Sequence, residues 1–347
     1  MLPSAFSRVT LLSMPDFSIG VDLGGTNLRI AAISTEGQML DKVALSTKGA
    51  LGAGHVIGEM CDAILRLTAQ YRATGRFLGV GVGFPGIIDM ESGMLRKSAN
   101  LPGWDEFPVH DEIERRLGAR VLLENDGNTA ALGEKWLGAG RDMSGDMAML
   151  TLGTGIGGGI VIGGKIFHGM NGMSGEFGHV TIEPDGVPCG CGNHGCAERY
   201  ASATAIVRMG REAIEAGTAP ALARLAASGA EFSAKAIYDL AMGGDEPAQR
   251  IFQRFGRALG ILLADLVNVL NLNMYVVGGG VVPAWDAFAP TMFEVVRERS
   301  CVYAATAPSD PLAAAKSRKG TGRQTIITPA ILGSDAGLYG GARLPAE

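Results

Sequence analysis

The segment GEFGHVTIEPDGVPCGCGNHGCAERY, from Gly175 to Tyr200, holds three of the chain's five cysteines. Cys189, Cys191 and Cys196 follow a C-x-C-x4-C spacing, and His179 lies ten residues upstream of the first. Three thiolates and one imidazole fill a tetrahedral zinc shell and leave no position for water. Such a set predicts a structural Zn²⁺. Glu176 and Glu198 bracket the cluster, so the metal would hold two carboxylates rigid for another task. A histidine bound through one ring nitrogen can offer the other to a substrate hydroxyl. Scattered core cysteines are the plainer alternative, but this run is hydrophilic and glycine-rich. A disulfide framework is also disfavoured, because 347 residues can build a core without staples.

A second polar set lies in LLENDGN, residues 122–128. Asn125 and Asp126 stand at the mouth of a strand, ahead of a helix. Asp126 could be only a helix N-cap. It could also accept the proton of an alcohol during phosphoryl transfer. Asn125, and Asn100 in NLPGW, each offer a donor and an acceptor to neighbouring hydroxyls. With Glu176 and Glu198 as further acceptors, the set suits a polyol.

Three glycine turns could hold phosphates: DLGGTNLR at 22–29, LGTGIGGG at 152–159 and GGGV at 278–281. Glycine lets backbone N–H groups point into one hollow and lets an anion approach. Thr26 and Thr154 add hydroxyls, Arg29 adds charge, and Asp22 is where a Mg²⁺ ion would be held. None of the turns has the P-loop pattern. Residues 153–158 continue as a strand, which disfavours a dinucleotide fold.

The elements that must position these groups follow from hydrophobic period and turn signals. Strands are expected at 17–21, 28–33, 39–45, 78–84, 120–123, 147–152, 156–162, 274–277 and 326–329. Gly164 and Lys165 are expected at a hairpin tip. Helices are expected at 54–74, 111–117, 128–137, 206–215, 219–228, 234–242, 246–270, 288–300 and 334–342. Residues 304–323, with four cations, read as an exposed loop or hairpin tip. The first 16 residues read as a ragged tail too short and too weakly apolar for a secretory signal. Each half opens with strand, glycine turn, strand, so the chain reads as two related α/β domains around a cleft.

Composition narrows the class. Hydrophobic residues make up 47% and charged residues 19%, as in a soluble globular enzyme. A net charge of -5 argues against a general nucleic-acid binder. The apolar stretch 258–277 carries Asp265 and reads as a buried helix and strand, not a membrane span. Thiols gathered at a metal-like site fit a cytoplasmic protein.

Together DLGGTNLR, FPG at 84–86, NLPGW, ENDGNTAALGE at 124–134, LGTGIGGG, GEFGH, CGCGNHGCAE at 189–198 and VVGGG at 276–280 resemble the ROK family of sugar kinases. The resemblance spans about Ile19 to Gly340 and is strongest to the ATP-dependent glucokinases of that family. It implies two actin-like (ribonuclease H-like) domains with a central substrate cleft. One would comprise 14–125 plus a returning C-terminal helix at 332–347, the other 126–331 with the zinc loop. It implies that Asp126 is the base for the sugar's 6-hydroxyl, and that Asn100, Asn125, Glu176, His179 and Glu198 hold the sugar. Zinc would sit on His179, Cys189, Cys191 and Cys196. ATP would meet Asp22, Gly24, Gly25, Thr26, Arg29, Thr154 and Gly155, with adenosine near Gly279. A homodimer or homotetramer is expected. Other hexoses of the family stay open as substrates: N-acetylmannosamine, N-acetylglucosamine, mannose and fructose. So does a non-catalytic sugar sensor, which the intact Asp126 and phosphate turns disfavour. The family's repressors need a DNA-binding segment for which about 16 leading residues leave no room. A polyphosphate donor would call for a more basic groove.

Overall fold

Two sheets of matching strand order organise the computed structural model, which describes residues 15–73, 75–98, 100–318 and 322–347. The expectation for the leading residues falls mainly on 1–14, outside the described set.

The first half runs β1 (Phe17–Leu23), β2 (Asn27–Ser34), β3 (Met39–Ser46), α1 (Ala53–Tyr71), β4 (Phe77–Phe84), β5 (Ile87–Asp89), β6 (Met94–Lys97), α2 (Val109–Leu117) and β7 (Val121–Asn125). The five-stranded sheet has the order β3-β2-β1-β4-β7. The first three strands pair antiparallel, and β4 and β7 add in parallel. Central β1 is buried at nearly every position, whereas edge strand β3 alternates. That contrast separates a strand covered on both faces from one covered on a single face. Helix α1 turns Val56, Ile57, Met60, Ile64 and Leu67 onto the sheet.

Helix α3 (Asp126–Trp136) leads to the second half: β8 (Met147–Leu152), β9 (Ile156–Ile162), β10 (Lys165–Ile166), α4 (Ala203–Glu215), α5 (Pro220–Ala227), α6 (Ala234–Met242), α7 (Glu246–Leu270), β11 (Met274–Gly278), α8 (Trp285–Arg299), α9 (Cys301–Thr306), α10 (Pro311–Ser317), β12 (Ile326–Pro329) and α11 (Ala336–Arg343). Its sheet order is β10-β9-β8-β11-β12, again antiparallel first and parallel after. This repeated order makes both sheets ribonuclease H-like, the actin-like arrangement. Each has its own core, with Phe17, Ile19, Val80 and Phe84 in the first and Leu150, Phe255, Leu259 and Phe288 in the second.

Helix α3 lies between the sheets. It packs on β9 and on α11, which also covers β1 and β4. The approach of α3 to α11 is close enough that a side chain at Gly340 would collide with the Thr129 carbonyl. Glycine is required there because two backbones touch.

Two expectations need correction, and one hairpin carries no sequence signal. Residues 304–323 are not a plain loop. They continue α9 and contain α10, capped by Ser300 and Asp310, whose side chains accept from Tyr303 N–H and Ala313 N–H. The cap signals Ser300 and Asp310-Pro311 were legible but were outweighed by the nearby cations. The β5–β6 hairpin was missed because its strands are too short to show a period. Asp126 is not the N-cap of α3. Asn125 is, its Oδ1 accepting from Gly127 N–H at 2.8 Å. No helix among the described residues is long and apolar enough to cross a membrane.

Candidate active site and metal centre

Strand β7 runs in parallel beside β4 and ends at Asn125. The cap then turns the chain sharply, so Asp126 opens α3 at the floor between the two sheets. Its Oδ1 accepts from Gly127 N–H at 2.9 Å. Burial first, and then the charge of Asp22, push the Asp126 carboxyl up to about 6; Glu176 adds to the rise, and the Gly127 hydrogen bond opposes it. Three carboxylates from three separate segments therefore share one electrostatic neighbourhood. Asp22 is itself raised, mainly by burial. A cluster of this kind is built for a cation or for proton transfer.

Asp22 ends β1 beside the first glycine turn. Arg29 does not face the open turn: its Nη1 donates to Asp22 Oδ2 at 3.0 Å and to the Ser334 carbonyl at 2.7 Å. The turn is closed by Gly24 N–H to the Asn27 carbonyl, 2.8 Å, and by the Thr47 hydroxyl to the Gly24 carbonyl, 2.7 Å. Gly25 and Thr26 stay exposed. The Gly25 backbone lies against Asn100, whose own side chain is exposed. Asn125 is less free than its sequence suggests, since its Nδ2 donates to the Gly86 carbonyl at 3.2 Å while its Oδ1 caps α3.

In the second half, Glu198 Oε2 accepts from Ile156 N–H at 2.9 Å. Any side chain at Gly155 would collide with that oxygen, so the second turn and Glu198 form one unit. Thr204 Oγ1 donates to the Thr154 carbonyl at 2.7 Å. The third turn joins the second, because Gly279 packs against Leu152 and Val281 N–H donates to the Leu152 carbonyl at 3.2 Å.

His179 and Glu198 each sit on a single 3₁₀ turn, Phe177–His179 and Ala197–Arg199. Ala197 N–H to the Val180 carbonyl, 2.9 Å, ties the two turns together. One ligand atom from each of His179, Cys189, Cys191 and Cys196 lies within 4.8 Å of all the others. Cys191 Sγ is 3.7 Å from Cys196 Sγ, and Cys189 Sγ is 3.8 Å from His179 Nδ1. A tetrahedron with bonds of about 2.3 Å has edges of roughly 3.8 Å, so the donor set fits a zinc ion. With Nδ1 turned to the sulfurs, His179 Nε2 faces Glu176, 3.9 Å away.

Two buried carboxylates carry structure that was not read from the sequence. Glu124 Oε1 accepts from Asn125 N–H and from Asn128 Nδ2, both at 2.9 Å, and its Oε2 meets His168 Nε2 at 2.6 Å. Fully buried Glu134 accepts from Ala139, Ile331 and Leu332 N–H groups at 2.7, 3.0 and 2.8 Å. It thereby fixes α3 to the segment entering α11. Both residues lie in ENDGNTAALGE; Glu124 directly follows the apolar strand residues Leu122 and Leu123, and Glu134, between Gly133 and Lys135, carries no such signal. His168 carries no local pattern.

Two ribonuclease H-like sheets, with glycine turns around shared carboxylates, define the actin-like class. Within that class the chain belongs to the ROK family, whose model matches residues 18–344. A glucokinase of Halalkalibacterium halodurans is 37% identical over 328 residues, covering 94% of each chain. A glucokinase of Thermotoga maritima is 41% identical over 279 residues, 80% of this chain and 86% of that one. Among solved structures, a ROK family glucokinase from Streptomyces griseus in complex with glucose and AMPPNP matches with a TM-score of 0.73 at 32% identity. That match covers 94% of this chain and 98% of the other.

Proposed function

We propose that the chain is an ATP-dependent glucokinase, moving the γ-phosphoryl group of ATP to the 6-hydroxyl of glucose. The observation that carries this is the placement of Asp126 at the head of α3, directly after β7, with the Asp22 and Glu176 carboxylates in its neighbourhood and a glycine turn in each half. The glucokinases among its relatives, and the glucose–AMPPNP complex of the Streptomyces griseus protein, support the pair of substrates. A carboxyl raised to about 6 is ionised at neutral pH and still accepts a proton readily. The sugar O6 attacks the γ-phosphorus in line, the bond to the β,γ-bridging oxygen breaks, and Asp126 takes the hydroxyl proton. The remaining work is positioning and charge stabilisation.

Asn100, Asn125, Glu176, His179 and Glu198 are assigned to the sugar. Gly24, Gly25, Thr26, Thr154 and Gly155 are assigned to the phosphates, and Gly279 to the adenosine end. Arg29 serves the first turn by holding Asp22. Asp22 would hold Mg²⁺, which neutralises phosphate charge when bound. His179, Cys189, Cys191 and Cys196 would hold a structural Zn²⁺ that stiffens the loop carrying Glu176 and Glu198. Residues 14–125 with 332–347 are taken as one domain and 126–331 as the other, with closure excluding water. A cytoplasmic homodimer or homotetramer completes the proposal.

The test is ADP release with Mg-ATP and glucose, mannose, fructose, N-acetylglucosamine or N-acetylmannosamine. Glucose is expected to give the highest kcat/KM. A higher value for an acetamido sugar would replace the substrate and leave the chemistry. No turnover on any sugar, with binding retained, would return the sensor reading.

A further inference from the structure

Between β10 and Glu176 the chain makes a loop whose two ends are tied together. Phe167 N–H donates to the Ile160 carbonyl at 2.8 Å, Ser174 N–H donates to the His168 carbonyl at 3.2 Å, and the Ser174 hydroxyl reaches the Phe167 carbonyl. Ser174 stands two residues before Glu176. The loop has no strand or helix of its own, and Met170 is 98% exposed. The His168 ring on Glu124 is its side-chain hydrogen bond to the site, beside close packing of Gly172 on Met90 and of Gly175 on Gly158.

We infer that His168 is a positioning residue for this reaction: through Glu124 it couples the loop leading to Glu176 with the turn that presents Asn125 and Asp126. One carboxylate serves both sides. Oε1 holds the Asn125 N–H and Asn128 at the start of α3, and Oε2 holds His168. Glu124 is 3% exposed in its side chain, so its buried carboxyl needs polar partners, and His168 is the titratable group it meets. The hydrogen bond to Glu124 is the largest influence on the imidazole and raises its pKa, burial opposes, and the Glu124 charge adds to the rise. From α3 the neutral Asn128 faces the same carboxylate. The charged pair is thus present below the ordinary histidine range and persists somewhat above it. It is lost as pH rises through the raised value. This role rests on the glucokinase reading above.

The test measures glucose affinity by calorimetry and steady-state kinetics across pH, on native protein, His168→Gln and His168→Ala. Glutamine can keep a donor to Glu124 but does not titrate. Native glucose affinity is expected to weaken as His168 loses its proton, and His168→Gln to lack that step. His168→Ala is expected to raise KM about tenfold at low pH, where native His168 is protonated, and by less as pH rises, the low-pH effect being the order expected for one lost charge-assisted hydrogen bond. Its kcat is expected to fall by less than about threefold, because Glu124 Oε1 keeps its hold on the Asn125 N–H and Asn128 at the base's turn. Should either variant fail to fold, the native protein alone decides. Binding linkage is reciprocal, so saturating glucose must raise the His168 pKa read by imidazole NMR. An unmoved His168 pKa in a protein that binds glucose overturns the inference, as does a native-like affinity profile in folded His168→Gln. Native protein that neither binds nor turns over glucose overturns the glucokinase reading, and this role with it.

Discussion

The two halves share a strand order and a strand–turn–strand opening, yet they stiffen their glycine turns by different chemistry. The first turn is closed by neutral hydrogen bonds from Gly24 N–H and the Thr47 hydroxyl, and its flank is held by charge. Asp22 is held by Arg29, and Arg29 by the Ser334 carbonyl, while Lys42 pairs with neighbouring Asp335. Those partners come from the far end of the chain. The second turn is held within its own half. Glu198 grips Ile156 N–H, Thr204 grips the Thr154 carbonyl, and the Cys3His group would fix the segment bearing Glu198 on binding a metal. Ion pairs that are a quarter exposed weaken with salt. Hydrogen bonds to backbone groups, and metal–thiolate bonds where zinc is bound, depend less on salt. One architecture thus has a turn whose hold depends on the returning chain and a turn locked locally, with Asp126 between them.

The strongest break in that comparison is at its midpoint. Asp126→Asn is expected to lower kcat by about 10²- to 10⁴-fold while glucose affinity stays within a few-fold. Single-turnover kinetics beside calorimetry separates the two effects; near-native turnover would remove Asp126 as the base. Stability should move the other way. The folded carboxyl is raised to about 6 from an ordinary value of 3.8, so ionisation costs stability that is fully felt above about 6 and relieved towards 3.8. Asparagine carries no such cost, and the variant's Tm should exceed the native value at pH 8 by a few degrees. The difference should shrink by pH 4.

Removing the metal tests the second half alone. Elemental analysis is expected to find about one zinc per chain, the stoichiometry of a single four-ligand shell. A chelator or Cys196→Ser should raise KM for glucose by about 10- to 100-fold, the range for lost support of site residues. The first turn's hold on Mg-ATP should change far less. Equal losses for both substrates would mean that the turns are not separately supported. For the native enzyme, kcat/KM should fall about tenfold per pH unit as pH drops below about 6, the signature of one essential base.

Much of this arrangement was legible in the sequence, and the gaps have physical causes. Strands β1, β4, β8 and β11 announce themselves because burial on both faces demands continuous apolar runs. The metal knuckle was legible because thiolate spacing is local. Helix α10 was hidden by its run of alanines and flanking cations, which carry little periodic signal. The Asp22–Arg29 pair was missed although the residues are seven apart, because pairing across a hairpin depends on register. Glu124 with His168, 44 residues apart, and Glu134 with Ile331, 197 apart, could not be read at all. No local pattern records which distant backbone a buried carboxylate will meet. Asn125 teaches the opposite lesson. Its type fitted both a sugar ligand and a helix cap, and the fold uses it at least as the cap.

The smallest expected effect sharpens the contrast most directly. Arg29→Lys keeps the charge but changes its reach: Nη1 alone meets both Asp22 and the Ser334 carbonyl, and a shorter ammonium-tipped chain must reach both from the same backbone. The Arg29 and Asp22 side chains are 27% and 23% exposed, and partly exposed pairs contribute on the order of 1 kcal/mol or less. KM for Mg-ATP should therefore rise by only about two- to fivefold, with KM for glucose unchanged. High salt should mimic part of this in the native enzyme and add little in the variant, because both act on the same screened pair. If salt and substitution act additively, the first turn is held by something other than this pair. If Arg29→Lys instead weakens glucose binding, the two turns are mechanically joined, and the local lock of the second half is not local.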